Sequence, residues 1–172
     1  MMASRSDVWI DPLDQTHIDY LRHAGVTVPA MINPTPVMMA TGAGAHDGLF
    51  DHHPDGEPWL AFEEHEDCVF WNPRHGRFAT YANRVFALGQ AVIDEAATYS
   101  FDCALNVFDN PLGWLLAKRD GIVVLDWTRA FDRLRDAPRI ALAESLLPLY
   151  RRHMKPARTP ELFIVSGKRR AA

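Results

Sequence analysis

Between Arg22 and Arg74 this chain carries no lysine or arginine. The same window holds Asp47, Asp51, Asp55, Glu57, Glu63, Glu64, Glu66 and Asp67, together with His23, His46, His52, His53 and His65. A surface built from such a stretch is acidic and repels a long nucleic-acid duplex. Cysteine is scarce as well. Cys68 and Cys103 are the only two, which excludes a disulfide framework and makes a reduced, cytoplasmic setting the expectation. No apolar run approaches the ~20 residues that span a bilayer. The opening MMASRSDVWIDP lacks the apolar core of a secretory signal. A membrane partner is therefore not expected. No G-x-x-x-x-G-K-[ST], G-x-S-x-G, H-E-x-x-H or paired C-x-x-C occurs, so the sharpest signatures of nucleotide binding, serine hydrolysis and zinc chemistry are missing.

What is present fits one soluble domain. The chain has 172 residues, of which 48% are hydrophobic and 23% charged, enough to bury one sizeable core. The charge is unevenly placed. Residues 151–172 carry seven cations, Arg151, Arg152, Lys155, Arg158, Lys168, Arg169 and Arg170, against Glu161 alone, whereas residues 1–150 carry eleven cations against twenty-one carboxylates. Such asymmetry bears on partners rather than on fold.

Periodicity and turn chemistry predict the elements. Asp11-Pro12 reads as a helix start, with Leu13, His17, Ile18, Leu21 and Ala24 on one face and Gly25 as the stop. A strand is expected at Val37–Ala40. His53-Pro54-Asp55-Gly56 and Asn72-Pro73-Arg74-His75-Gly76 are tight turns. The aromatic and β-branched runs around them predict strands near 48–53, 57–64, 67–72 and 77–82, with a fifth at 84–88, as an antiparallel meander. Asn110-Pro111 opens a helix carrying Leu112, Leu115 and Leu116. Ile122–Leu125 is a buried strand, followed by a helical stripe of Trp127, Ala130, Phe131 and Leu134. A second stripe joins Ile140, Ala143, Leu146, Leu147 and Tyr150, with Pro148 kinking or shortening it. A late strand is expected at Leu162–Val165.

The predicted fold is α+β, a central antiparallel β-meander with an N-terminal helix and C-terminal helices packed on one sheet face. The other face is left to water or a partner. Residues 1–8 are expected to be a loose N-terminus, 9–166 one domain and 167–172 a basic tail. The expected core comprises Trp59, Phe62, Phe70, Trp114, Leu115, Val123, Leu125, Phe131, Leu134 and Leu146, with Cys103 beside it.

Four features bear on chemistry. If the Pro54-Asp55-Gly56 turn closes a hairpin, residue 46 lies near residue 64. His46, His65 and Cys68 then gather at one end of the meander, where imidazole and thiolate suit zinc or a similar divalent ion. In the alternative function, a metal-dependent hydrolase, Glu66 or Asp47 supplies a further ligand or a general base; the favoured reading of the segment is a solvated acidic rim with surface histidines. The glycine-rich Gly42-Ala43-Gly44-Ala45-His46-Asp47-Gly48 leads into a strand rather than a helix, so it is expected to be a connector and not a phosphate loop. Asp126 ends an apolar strand and is read as a helix cap. The basic C-terminus is the partner signal. Arg151 and Arg152 suit a helix end, but Lys155, Arg158, Lys168, Arg169 and Arg170 exceed what a helix end explains. They point to a protein partner, to self-association as a dimer, or to a local nucleic-acid contact.

Phe86-Ala87-Leu88-Gly89, Asn110-Pro111-Leu112-Gly113-Trp114-Leu115, Gly121-Ile122-Val123-Val124-Leu125-Asp126-Trp127 and Tyr150-Arg151-Arg152-His153-Met154 together make the C-terminal half resemble short uncharacterised bacterial proteins. Some of those are carried on plasmids and other mobile elements. The resemblance implies no activity and no catalytic residue; it implies a role beside DNA maintenance or transfer. The expected function is a non-enzymatic accessory or binding protein that uses the acidic meander and the basic C-terminus.

Overall fold

A computed structural model describes residues 9–156. The expected N-terminal segment 1–8, the strand at 162–165 and the tail 167–172 lie outside the described residues. The fold is α+β. Its first sheet contains β1 (Asp11–Pro12), β2 (Met38–Gly44), β3 (Phe50–His52), β4 (Glu57–Glu64), β5 (Asp67–Asn72) and β6 (Arg77–Thr80), all paired antiparallel. α1 (Gln15–His23) and α2 (Val28–Ile32) lie between β1 and β2 in the chain. The N-cap of α1 is Asp14, whose side chain accepts from the His17 amide at 2.8 Å. The expected cap and helical proline, Asp11-Pro12, instead pair with β2 as β1. Gly25, at φ +95°, ends the helix as expected.

The strand order is β1-β2-β4-β5-β6, with β3 also on β2. Gly42 is paired with both His52 and Glu57. The 53–56 turn therefore joins two strands that flank β2, not two that pair with each other. Glycine makes this insertion possible. A Cβ on Gly56 would stand 2.5 Å from the Gly42 Cα, and one on Gly42 2.2 Å from the Asp51 carbonyl oxygen. The sheet then curls on itself: Leu49 bridges Thr80, and the Thr80 amide donates to the Gly48 carbonyl at 3.0 Å.

Curling gives the meander two covered faces. Leu60, Phe62, Val69 and Trp71 belong to the core shared with the helices. Trp59, Ala61, Cys68 and Phe70 alternate with them on the inner side, where Phe50 stacks on Phe70 at 4.0 Å and meets Trp59 edge-on at 5.6 Å. All six residues of β5 are buried. The expectation of a face open to water or a partner fails for this reason.

A second sheet follows, made of β7 (Ala87–Leu88), β8 (Leu105–Phe108), β9 (Ile122–Val124) and β10 (Ile140–Leu142) in the order β10-β8-β9-β7. β10, β8 and β9 are parallel. α3 (Pro111–Leu116) and α4 (Ala130–Leu134) are the crossovers, and α5 (Leu147–His153) closes the described chain. Asn110 caps α3 and Asp126 accepts from Thr128 N at 3.0 Å, both as expected. The stripe from Ile140 is not one helix. Ile140 pairs with Leu105 in β10, and the helix is short rather than kinked, since α5 begins at Leu147 with Pro148 in its first turn. The expected fifth meander strand is β7 of this second sheet. One core lies between the sheets, with Phe62 edge-on to Trp114 at 6.0 Å. A separate core covers the far side of the second sheet. Of the expected core, Leu125 and Phe131 are half-buried, and Cys103 is exposed. No helix among the described residues is long and apolar enough to cross a membrane.

Candidate functional site

The end of β4 and the start of β5 create two cavities. Glu64 pairs with Asp67, leaving His65 and Glu66 as the turn, with Glu66 at φ +62°. Alternation along β4 sends neighbouring side chains to opposite faces. Glu63 follows Trp59 and Ala61 toward the curled interior, while Glu64 follows Leu60 and Phe62 toward the core between the sheets.

On the interior side, a cavity of about 510 Å³ opens at the mouth of the curled sheet. Met38, Ala61, Cys68 and Phe70 form an apolar floor, and Ile10, Pro36, Glu63, Glu66 and Tyr81 stand around it. Asp67 also touches the cavity, but its carboxylate is committed to the fold. It accepts from the amides of Cys68 at 2.8 Å, Ala82 at 2.8 Å, Arg84 at 2.7 Å and Val85 at 3.2 Å. Those bonds fix the chain as it leaves β6 for the second sheet. Burial, aided by the neighbouring Asp67 and Glu63 carboxylates, pushes the Cys68 thiol up to about 12. Cys68 is therefore a core thiol and a poor nucleophile or ligand. No described cation pairs with Glu63 or Glu66.

On the opposite side, a cavity of about 460 Å³ lies where β4, the 3₁₀ turn Gln90–Ile93 and the end of α3 meet. Phe62, Val92 and Trp114 are its apolar walls, and Glu63, Glu64, His65, Glu95, Lys118 and Arg119 its polar and charged ones. Glu64 accepts from the Gly89 amide. Burial raises its pKa above the ordinary carboxylate value, against the pull of that amide and of Arg119. Arg119 lies over the Trp114 ring at 5.2 Å and donates from Nε to Ala30 O at 2.8 Å. Burial lowers its pKa to about 10, and Glu64 partly offsets this. Lys118 and Arg119 both hold left-handed backbone, at φ +56° and +64°. That conformation turns the guanidinium back onto the C-terminal carbonyls of α2. Arg119 thereby ties the end of α3 to α2, and Glu64 on β4 acts on it electrostatically.

The structure separates the residues predicted to hold a metal. Cys68 faces the mouth cavity, His65 the junction cavity on the other face, and His46 lies in the 45–49 turn between β2 and β3. The assumed 53/57 hairpin does not form, so the register that would bring residue 46 to residue 64 is lost. Among the described residues no group of three or more His, Cys, Asp or Glu side chains is arranged to hold a metal ion. Asp47 is in the same turn as His46, where its carboxylate accepts from the Leu49 amide at 3.1 Å. Of the basic C-terminal set, Arg151, Arg152 and Lys155 are exposed on and just after α5; Arg158, Lys168, Arg169 and Arg170 lie outside the described residues.

Sequence reasoning missed the tie from Arg119 to α2, the Glu64 bond to Gly89 and the Asp67 knot. The acidic run Glu63–Asp67 marked the place, but nothing local distinguishes a carboxylate aimed at amides from one aimed at water. Comparisons with protein-family models, with curated proteins and with solved structures found no match for the chain.

Proposed function

We propose that this protein is a non-enzymatic binding module whose mouth cavity receives a basic side chain from a partner segment. One observation carries the reading: Glu63 and Glu66 stand over an apolar floor without a cation from the described residues. Lysine and arginine have an apolar stem and a charged head, the combination such a site fits. Pockets at the mouths of curled sheets are common ligand sites, and this one has the volume for a side chain. The basic C-terminus supplies the complementary surface, either to a second copy or to a protein of a mobile-element complex. Exposed Arg151, Arg152 and Lys155 are its described part. Association of this kind is fast and weakens with salt. A local nucleic-acid contact by the same basic residues is the alternative role for them.

The test is a titration of a labelled peptide spanning residues 166–172 into the full chain, followed by fluorescence anisotropy. The wild type is expected to bind, and binding to fall with added salt. The double substitution Glu63→Gln, Glu66→Gln should weaken it by about tenfold, since two charge-assisted contacts are lost. Equal affinity for both proteins overturns the proposal.

A further inference from the structure

The second sheet ends in an open edge. Among the described residues β10 pairs with β8 alone. The Leu105 amide donates to Arg139 O at 2.9 Å and the Ala143 amide to Val107 O at 3.0 Å. Alternation along the strand then turns the backbone groups of Ala141 toward β8, and those of Ile140 and Leu142 outward. Ile140 and Leu142 are half-buried, so their outward N–H and C=O groups are costly to leave bare. An apolar groove of about 350 Å³ runs beside this edge. Ile140 and Leu142 line one wall. Leu147, Tyr150 and Met154, at helical spacing along α5 and just past it, line the other.

The path of the chain indicates what fills the groove. α3 links β8 to β9 over the face toward the first sheet, where Trp114 and Leu115 are buried. α4 links β9 back past β8 to β10 over the far face, where Ala130 and Leu134 are buried. Opposite directions on opposite faces make the two crossovers the same hand, which for parallel strands is right. α5 packs against α4, and Leu146 and Met154 at its ends join the same far-side core. A right-handed return through α5 continues in the direction that α4 took, and sets the next strand on the outer edge of β10. Met154, after α5, and Ala137–Arg139, just before β10, share the groove. The described chain thus stops at Pro156 near the amino end of β10, where a parallel strand would begin.

We propose that residues 162–165 of the same chain add to β10 as a parallel strand and fill this groove. Leu162-Phe163-Ile164-Val165 is a continuous apolar run between Pro160 and Gly167, as suits a strand covered on both faces. Extended, residues 157–161 reach up to ~17 Å, well beyond the ~5 Å between neighbouring strands. A tether this short favours the chain's own segment over that of a second copy. The parallel direction delivers Lys168, Arg169 and Arg170 past the carboxyl end of the sheet, so the basic end is presented from a fixed base. This inference does not depend on the mouth cavity.

Hydrogen exchange of the full chain, read at single amides by NMR, tests it. The Ile140 and Leu142 amides are expected to exchange at least about a hundredfold more slowly than in a chain truncated after Pro156, while the Ala141 amide stays slow in both. Should truncation also expose Ala141, cross-linking of the full-length chain decides. In a Cys103→Ser background, Ala141→Cys is combined in turn with Leu162→Cys, Phe163→Cys, Ile164→Cys and Val165→Cys. Mild oxidation should close a disulfide within the chain at alternate positions of the segment, those on the same face as Ala141. Four results overturn the proposal: unprotected Ile140 and Leu142 amides in the full chain, unchanged protection after truncation, no cross-link in any variant, or cross-links only between chains, which would give the edge to a second copy.

Discussion

The two cavities on either side of the β4–β5 turn are close in size, about 510 and 460 Å³, and both have carboxylates in their walls. They differ in what those carboxylates already hold. In the junction cavity Glu64 accepts from Gly89 and faces Arg119, which in turn holds α2. In the mouth cavity Asp67 is spent on four amides, but Glu63 and Glu66 are not paired with any described cation. An acidic residue whose partners come from its own chain is part of the scaffold. One without them is available to a visitor. The acidic window Glu63–Asp67 thus contains both kinds within five residues, and strand alternation sorts them.

The largest effect that would sharpen this contrast is expected at Asp67. Asp67→Ala leaves the part-buried amides of Ala82 and Arg84 and the buried amide of Val85 without an acceptor, and should cost about 3–5 kcal/mol. Urea unfolding followed by tryptophan fluorescence measures it. A loss under about 1 kcal/mol would show that water replaces the carboxylate, and Asp67 would then belong with Glu63 and Glu66. The next effect is at Arg119. Arg119→Ala removes the donor to Ala30 O, uncovers Trp114 and leaves Glu64 without its cation. A loss of about 1–3 kcal/mol is expected, seen as a lower melting temperature. A neutral outcome would make the junction cavity as uncommitted as the mouth.

Much of the fold was legible in the sequence because its elements are marked locally. The extents of β4 and β5 followed from aromatic and β-branched runs bounded by turn chemistry between Pro58 and Asn72, and the caps at Asn110 and Asp126 from side-chain chemistry. What was not legible is pairing. The Pro54-Asp55-Gly56 turn guarantees that the chain reverses, not that the strands it joins become neighbours. β2 enters between them because Gly42 and Gly56 have no Cβ. The same error moved His46 away from His65 and Cys68. The stripe from Ile140 failed differently: a three-residue strand, a 3₁₀ turn and α5 in succession mimic a helical period. Of the candidate site, the acidic segment was visible and its division was not. That division depends on Arg119, 55 residues beyond Glu64 and set by a left-handed backbone that no local pattern announces.

Glu64 itself provides the finest test of the contrast. Its pKa is raised above the ordinary 4.5 because burial penalises the carboxylate more than Gly89 and Arg119 reward it. The folded state therefore holds this proton more tightly than the unfolded state does. Below the unfolded value both states are protonated and burial carries no penalty. As pH rises through the window between the unfolded and the raised folded value, the unfolded chain loses the proton first and stability falls, levelling off above it. Glu64→Gln keeps an acceptor for the Gly89 amide and removes the titration. Its stability relative to wild type, from urea unfolding across that pH range, should be least favourable in acid, grow as pH rises and then hold level. The reverse slope, with Glu64→Gln losing ground as pH rises, would mean that attraction to Arg119 outweighs burial. The junction would then be a true ion pair, and the raised pKa of Glu64 would no longer distinguish a scaffold carboxylate from the free ones at the mouth.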